Sequence, residues 1–239
     1  MDPLFKVVTL ASTEYPQTVC WWAMHQDYSE DLVFLAEPPS EERAGELLIK
    51  HLLAGGRGHF GPLEHPQITF NAGWFPHSVM QQARTHRVGV SFDVQSFRYT
   101  SQRIIDVSTG KREIEEVFYL RPVGDYTDRS GDRYSYTEDM RIIDKARAYD
   151  AAGHYAHQIR QGMTEEHARG MLPFDTRQHF VVSFTLRALL HFLDLRAKLD
   201  AQLEIRQLCD LMWPELQAWA PAIAGWYEKN RMGKARLAP

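Results

Sequence analysis

One stretch of the chain, residues 82–99, concentrates side chains that bind anions. The twenty residues from Arg84 to Arg103 contain four arginines, one acid (Asp93) and no lysine, so their net charge is 4 − 1 = +3. The planar guanidinium of arginine fits phosphate oxygens two at a time, and serine hydroxyls with backbone N–H groups can complete the cradle. This composition predicts a phosphorylated ligand. The alternative is a polar loop whose arginines pair with surface acids.

A second polar group is the segment His59-Phe60-Gly61-Pro62-Leu63-Glu64-His65, which has three ionisable residues among seven. Such a group could bind a metal ion. However, the segment has neither the His-x-x-x-His nor the His-Glu-x-x-His spacing that is typical of helical zinc sites. We therefore assign no metal ligands.

A third polar group lies in a segment of helical periodicity from Thr185 onward. The eleven-residue step from Thr185 to Arg196 is three helical turns, so both lie on one face, about 16 Å apart. Arg187 and His191, at positions i and i+4, share another face. One helix can thus present polar groups along an extended ligand such as a dinucleotide. The alternative is an amphipathic core helix, which leaves Arg196 unexplained within an apolar register.

Together with Arg169-Gly170-Met171-Leu172-Pro173, these segments resemble, in order, the motifs of the flavin-dependent thymidylate synthases. Ser96-Phe97-Arg98-Tyr99 matches the end of the family signature, which begins Arg-His-Arg. Here the beginning is Thr85-His86-Arg87, and eight residues instead of seven precede Ser96, so one residue is inserted. Residues 59–65 are similar to the family's His-x-x-Pro-Phe-Glu-His, and residues 185–206 to its Asn-x-Arg-Ser-Leu-x-x-Phe-Leu-x-Leu-Arg element with an Ala-Gln-x-Glu-Ile tail.

The resemblance implies an enzyme of nucleotide biosynthesis that methylates dUMP to dTMP. In the implied cycle NADPH reduces bound FAD, 5,10-methylenetetrahydrofolate supplies one carbon, and reduced flavin supplies the hydride that completes the methyl group. The family activates the uracil ring electrostatically, and the resemblance assigns this catalytic role to Arg196. Classical thymidylate synthase uses a cysteine nucleophile instead. Cys20 and Cys209 lie outside the polar segments, so we expect neither to act as one.

The resemblance also assigns ligand contacts. It implies that FAD contacts His59, Gly61, Arg84, His86, Arg87, Thr185, Arg187 and His191. It implies that dUMP contacts Gln82, Gln95, Ser96, Phe97, Arg98, Arg169 and Arg196. Thr185, His191 and Asp200 depart from the family, which often has Asn, Asn and His at these places. The family is homotetrameric with active sites between subunits, and we expect the same assembly here.

The composition places these residues in an ordinary globular chain. Its 239 residues are 44% hydrophobic and 24% charged, with a net charge of −4, which excludes collagen-like, disordered and low-complexity proteins. No apolar run approaches the roughly 18 residues of a membrane span, and the start MDPLFKVVTLAS lacks the pattern of a signal peptide. We therefore expect a cytoplasmic protein with no membrane partner. Two cysteines cannot build a disulfide framework.

The elements that must position the polar residues follow from local patterns. Strands are predicted at residues 6–12 and 68–74, and an exposed loop at 124–134. Helices are predicted from Ser40 to Gly55, from Pro76 to about Thr85, and over about 137–161, 175–199 and 201–218, with a short one opened by Thr164. The sequence thus predicts a single α+β domain over residues 1–239, with strands mostly in the first half packed against long helices from the second half.

Two other functional classes remain open from the residues alone. A non-catalytic nucleotide- or RNA-binding module could stack bases on Phe92, Phe97 and Tyr99. The mild acidity of the chain argues against a general nucleic-acid binder, so we expect no nucleic-acid partner. A metal-dependent phosphohydrolase could use several of the 11 histidines. Flavin absorbance of the purified protein distinguishes the synthase from the first class, and insensitivity to chelator distinguishes it from the second.

Overall fold

The computed structural model of the chain describes residues 1–56, 59–128 and 130–234. Its strands are β1 (Lys6–Ser12), β2 (Gln67–Pro76), β3 (Val90–Val94), β4 (Gly124–Thr127), β5 (Arg133–Tyr136) and β6 (Arg177–Thr185). Its α-helices are α1 (Pro16–Gln26), α2 (Glu41–Leu48), α3 (His77–Ala83), α4 (Phe97–Thr100), α5 (Gln102–Ser108), α6 (Glu138–Arg160), α7 (Glu165–Ala168), α8 (Leu186–Arg196), α9 (Leu203–Trp219) and α10 (Pro221–Asn230). This mixture of helix and sheet confirms the predicted α+β class.

Four of the strands form one sheet in the order β1-β2-β6-β3, and β4 with β5 forms a separate two-stranded sheet. In β2 every second side chain, at Ile68, Phe70 and Ala72, is fully buried. This period of two is what a strand with one face on the core requires. None of the helices within the described residues is long and apolar enough to cross a membrane.

The contacts divide the chain into two compact units, and unit 1 comprises residues 1–6, 72–85 and 93–180. One hydrophobic cluster of this unit is formed by α5, α6 and the segment around Val117 and Phe118.

The guanidinium of Arg177, also in unit 1, is only 1% exposed. It donates to the carbonyl oxygens of Trp74 (2.7 Å) and Glu115 (2.6 Å) and pairs with Asp2 (2.6 Å). A buried charge needs such partners, because without them its desolvation would destabilise the fold.

Unit 2 comprises residues 7–71, 86–92 and 181–239, of which 57–58 and 235–239 lie outside the described residues. Its helix α8 is fixed through Asp194, a carboxylate that is 3% exposed. Asp194 accepts hydrogen bonds from the hydroxyl of Tyr227 (3.0 Å) and from Nη2 of Arg231 (2.6 Å). The chain around α10 therefore holds α8, the helix that carries three of the predicted site residues.

Several elements agree with the sequence prediction. Strand β1 has the predicted bounds, β2 is longer by one residue at its start and two at its end, and α3 follows Pro76 directly. Helix α2 begins after Ser40, whose hydroxyl accepts a hydrogen bond from the N–H of Arg43 (3.3 Å). Helices α6, α7 and α9 also lie where the sequence predicts them, whereas α1 and α10 were not assigned. The predicted single domain over residues 1–239 includes residues outside the described ranges and stays a prediction.

The predicted helix over residues 175–199 is wrong in its first half. Residues 177–185 form strand β6, and the helix begins only at Leu186. Phe180, Val182 and Phe184 are buried at alternate positions, which is the pattern of a strand. Thr185 marks the change of structure, because its hydroxyl accepts a hydrogen bond from the N–H of Ala188 (3.2 Å) and caps α8.

The predicted loop over residues 124–134 is also wrong, since the described residues here form the hairpin of β4 and β5. Asp125 faces Ser135, and their side chains form a 2.6 Å hydrogen bond. Tyr126 faces Tyr134, and their rings stack with centroids 5.9 Å apart. These cross-strand pairs stabilise a segment with few apolar residues.

Candidate active site

The arginine segment, residues 82–99, folds as the end of α3, a turn, strand β3 and the start of α4. The turn holds Gly89 with a φ of 67°, and the Gly89 carbonyl accepts a hydrogen bond from the N–H of Thr185 (2.8 Å). Arg84 and Arg87 are exposed on this segment, while His86 between them is buried. The turn therefore sends neighbouring polar side chains into different environments.

A cavity of about 540 Å³ lies within unit 1. Five of the predicted ligand-binding residues line it: Arg84, Gln95, Ser96, Phe97 and Arg169. They come from three separate stretches of the chain, which α3, the start of α4 and the turn after α7 bring to one place. The cavity thus combines two exposed guanidinium groups with a hydroxyl, an amide and an aromatic ring, as a phosphorylated ligand requires.

The cavity also contains residues that sequence reasoning missed, above all His77 and Gln178. Gln178 is 3% exposed, and its Oε1 lies 2.5 Å from Nδ1 of His77. Its Nε2 donates to the carbonyl oxygen of Gln95 (3.1 Å). The Oε1 atom of Gln95 is itself buried, with no hydrogen-bond partner among the described residues. Gln95, a lining residue of the cavity, thus has one buried acceptor without a partner among the described residues.

Arg98 has a different environment from the arginines of the cavity. Its Nε lies 2.9 Å from Oε1 of Glu166, and both side chains are about half exposed. Glu166 lines the cavity, whereas Arg98 is absent from its lining. Ser96 caps α4 by accepting a hydrogen bond from the N–H of Arg98 (3.3 Å). Glu166 therefore places a carboxylate at the cavity, and no sequence motif pointed to it.

Gln82 and Arg103 make contacts within unit 1. Gln82 is half-buried in α3, and its carbonyl oxygen accepts hydrogen bonds from the N–H (3.2 Å) and hydroxyl (2.7 Å) of Thr85. Arg103 packs over the ring of Phe97 (5.3 Å) and donates to the carbonyl oxygen of Arg177 (2.6 Å). Burial lowers the pKa of Arg103 to about 10. One of the four clustered arginines is thus part of the packing.

In unit 2, the residue predicted to be catalytic is the last of α8. The Nε atom of Arg196 donates a hydrogen bond to Nε2 of His86 across 3.0 Å. His86 is 8% exposed, and its ring lies 5.0 Å from that of Phe192 and 5.5 Å from that of His191. Burial, and then the charge of Arg196, lower the pKa of His86 to about 4. The imidazole is therefore neutral at neutral pH, and the guanidinium carries the positive charge.

The segment 59–65 is joined to α8 by a side-chain pair. Arg187 forms an ion pair with Glu64, and its guanidinium lies over the ring of Phe60, 5.9 Å from the centroid. His59 lies 3.5 Å from the carboxylate of Asp27. Gly61 is exposed, and a Cβ built on it would meet nothing within 4 Å. These contacts place the glycine-containing turn beside the first turn of α8.

The residues that bear on the predicted flavin contacts lie in different environments. The Thr185 hydroxyl is used to cap the helix, and Asp200 is an exposed residue after α8. The Nδ1 atom of His191 is buried, with no hydrogen-bond partner in the described part of the chain. Arg87 is exposed and positively charged. An orphaned imidazole nitrogen and a solvent-facing guanidinium fit a polar, anionic cofactor.

The predicted residues divide between the units. Those assigned to dUMP lie in unit 1, apart from Arg196, and those assigned to FAD lie in unit 2, apart from Arg84. Within residues 1–56, 59–128 and 130–234, no three His, Cys, Asp or Glu side chains are grouped so that they could hold a metal ion. The phosphohydrolase interpretation thus lacks a candidate site there.

The two cysteines are free and buried. Burial raises the pKa of the Cys20 thiol and of the Cys209 thiol well above the ordinary value. A thiol is a nucleophile only as the thiolate. Neither residue is therefore suited to attack a substrate.

Comparison with known proteins adds independent findings. The family model described as "Thymidylate synthase complementing protein" matches residues 9–222. A flavin-dependent thymidylate synthase of Haloarcula marismortui is 35% identical, with 98% of this chain and 99% of the relative covered. A flavin-dependent thymidylate synthase of Halobacterium salinarum is 32% identical, and the match covers 98% of this chain and 100% of that relative.

Among solved structures, this chain is similar to the UMP/dUMP methylase PolB of Streptomyces cacaoi bound with 5-Br UMP. The TM-score is 0.72 and the sequence identity 20%, and the match covers 98% of this chain and 96% of that chain. The chain is also similar to the structure of Thymidylate Synthase X from Helicobacter pylori with FAD and dUMP. The TM-score is 0.67 and the sequence identity 17%, and the match covers 87% of this chain and 92% of that chain. At these identities the matches show a shared fold.

Proposed function

This chain belongs to the family of flavin-dependent thymidylate synthases, and we propose on that basis that it catalyses the reductive methylation of dUMP to dTMP. The observation that carries the proposal is the cavity of unit 1, which gathers Arg84, Ser96 and Arg169 from distant parts of the sequence. Guanidinium groups and a hydroxyl that converge on one cavity suit the phosphate of a nucleotide. Gln95 lines the same cavity and is a further proposed dUMP contact.

Arg196 is proposed as the catalytic residue. The C5 carbon of uracil is a weak nucleophile, so electron density must be moved onto it. A guanidinium at the uracil edge stabilises negative charge at N3 and O4 and makes C5 more enolate-like. Burial lowers the pKa of Arg196, but the pKa of a guanidinium lies so far above neutral pH that the residue stays protonated. The high pKa values of Cys20 and Cys209 support a mechanism without a thiol nucleophile.

FAD is the proposed cofactor, and the residues of unit 2 fit it. His191 offers an unpartnered ring nitrogen, Arg87 offers an exposed cation, and Gly61 leaves open space for a ligand. His59, His86, Thr185, Arg187 and, in unit 1, Arg84 complete the set of proposed contacts. When bound, FAD reduced by NADPH supplies the hydride that completes the methyl group, whose carbon comes from 5,10-methylenetetrahydrofolate.

We also propose the remaining contacts and the assembly that family membership implies. Gln82, Phe97 and Arg98 join the dUMP contacts, and the active enzyme is a homotetramer with sites between subunits. Sedimentation of the purified protein tests the assembly. A cytoplasmic location and the absence of nucleic-acid partners remain predictions.

The decisive experiment follows NADPH oxidation by the FAD-loaded protein and identifies the nucleotide product by mass spectrometry. We expect dTMP only when dUMP and methylenetetrahydrofolate are both present, with no inhibition by chelator. A parallel reaction with UMP tests the ribonucleotide, because a structural relative is a UMP/dUMP methylase. A protein that binds neither FAD nor dUMP, or that binds nucleotide without turnover, would overturn the proposal.

A further inference from the structure

We propose that His86 is a positioning residue for Arg196, which it holds in place by accepting the hydrogen bond from Nε through a neutral imidazole. This inference rests on the proposed function, because positioning matters only if Arg196 acts on the substrate. A guanidinium fixed at Nε loses rotational freedom, and a catalytic charge acts best when its orientation is set before the reaction.

The geometry fixes the imidazole itself. His86 is 8% exposed, and its ring packs against Phe192, a fully buried side chain of α8. The turn that follows His86 is anchored to the start of α8 by the bond between Gly89 and Thr185. Both ends of α8 are thus in contact with the segment 86–89, so the distance between His86 and Arg196 is set by the packing of this one helix.

The chemistry of the pair selects one state of the imidazole. Arginine Nε always carries its proton, so Nε2 of His86 must be the acceptor. A neutral imidazole that accepts at Nε2 carries its proton on Nδ1. The charged groups that face His86 are Arg196 and, when protonated, His191, both on α8. Protonation of His86 would remove the acceptor and place two cations 3.0 Å apart, so the interaction is present above the pKa of His86 and lost below it.

Three variants separate positioning from simple space filling. In His86→Gln, the side-chain oxygen can reach about as far as Nε2 and accepts a hydrogen bond. In His86→Asn, the shorter side chain keeps the amide but cannot span the same distance, and His86→Ala removes the group. We expect His86→Asn and His86→Ala to lower kcat for dTMP formation by about tenfold to hundredfold, the effect of losing one hydrogen bond to a charged group. We expect His86→Gln to recover most of that loss.

Each variant is compared at equal FAD content, with flavin reduction by NADPH measured separately. Because His86 is also a proposed FAD contact, the rate of flavin reduction serves as the reference. Positioning predicts that kcat for methylation falls in His86→Asn and His86→Ala by more than the rate of flavin reduction does. Equal kcat in wild type, His86→Asn and His86→Ala would overturn the inference. So would an equal loss in His86→Gln and His86→Asn, since that would show that the acceptor is irrelevant.

A second measurement does not depend on activity. Nitrogen-15 NMR of histidine-labelled protein, assigned with His86→Gln, reports the tautomer and the titration of His86. We expect a neutral ring with the proton on Nδ1 that stays neutral down to about pH 5. A proton on Nε2, or titration near the ordinary value of about 6.5, would overturn the inference even if the protein makes dTMP. If the wild type makes no dTMP but shows the expected tautomer, the proposed function fails and the His86–Arg196 pair stands.

Discussion

The carbonyl oxygen of Gly89 accepts a hydrogen bond from the N–H of Thr185 across 2.8 Å, and this bond joins the turn before β3 to the start of α8. A Cβ on Gly89 would lie 2.5 Å from Oγ1 of Thr185, the atom that caps α8. Gly89 also has a φ of 67°, a backbone conformation that favours glycine. The turn at Gly89 is therefore held closely against Thr185.

Gly89→Ala should therefore be strongly destabilising. Left-handed strain of about 1–2 kcal/mol and overpacking of about 1–3 kcal/mol together predict a loss of about 2–5 kcal/mol in the free energy of unfolding. Gly110→Ala is the matched control, since Gly110 has a φ of 71° and open space around it. Chemical denaturation of both variants measures the difference, and equal losses would contradict the close contact with Thr185.

Arg196→Ala should abolish dTMP formation and leave flavin reduction by NADPH largely intact. The reason is that the charge stabilises the activated uracil ring and takes no part in reduction of the cofactor. Arg43→Ala is the control and should behave as wild type, because it removes an exposed arginine whose ion pair with Glu46 lies on the surface of α2. If Arg196→Ala formed dTMP at the wild-type rate, the proposed mechanism would be wrong.

Arg87→Ala and Arg169→Ala should weaken the binding of different ligands. Arg87 lies in unit 2 with the proposed FAD contacts, so its loss should weaken FAD retention by about tenfold or more and affect dUMP less. Arg169 lines the cavity of unit 1, so its loss should weaken dUMP binding more than FAD retention. Flavin absorbance after gel filtration and calorimetric titration with dUMP measure the two effects. The reverse ranking would show that the alignment to the family signature is wrong.

Asp2→Ala should destabilise the fold although it is remote from the candidate site in sequence. It leaves the Arg177 guanidinium, 1% exposed, without its 2.6 Å partner, and breaking a buried ion pair costs about 3–5 kcal/mol. Glu46→Ala breaks an exposed pair with Arg43 and should cost less than about 1 kcal/mol. Urea denaturation compares the two. Similar small losses would show that Asp2 does not compensate the buried charge.

The double variant Cys20→Ala/Cys209→Ala should make dTMP at the wild-type rate. Both thiols have a raised pKa because they are buried, so both are protonated at neutral pH and neither acts as a nucleophile. The measurement is the rate of dTMP formation per folded, FAD-loaded enzyme. Loss of turnover without loss of folding would mean that a cysteine takes part in the reaction.

Local pattern was sufficient for part of this protein. Strand β1 and helix α6 lie where the sequence predicts them, because local patterns along the chain indicate each element. The residue types of the arginine segment and of 185–206 were also sufficient to indicate the family. These features depend on the identity of residues and their spacing along the chain, which the sequence states directly.

Tertiary structure decided the rest, because the deciding contacts join residues far apart in the chain. Residues 177–185 are apolar enough for a helix or a strand, and pairing with β2 and β3 makes them a strand. His77 and Gln178 enter the cavity through a contact across 101 residues, and no motif marks either one. The bond between His86 and Arg196 spans 110 residues, so the sequence names both groups but only the packing of α8 brings them to hydrogen-bond distance.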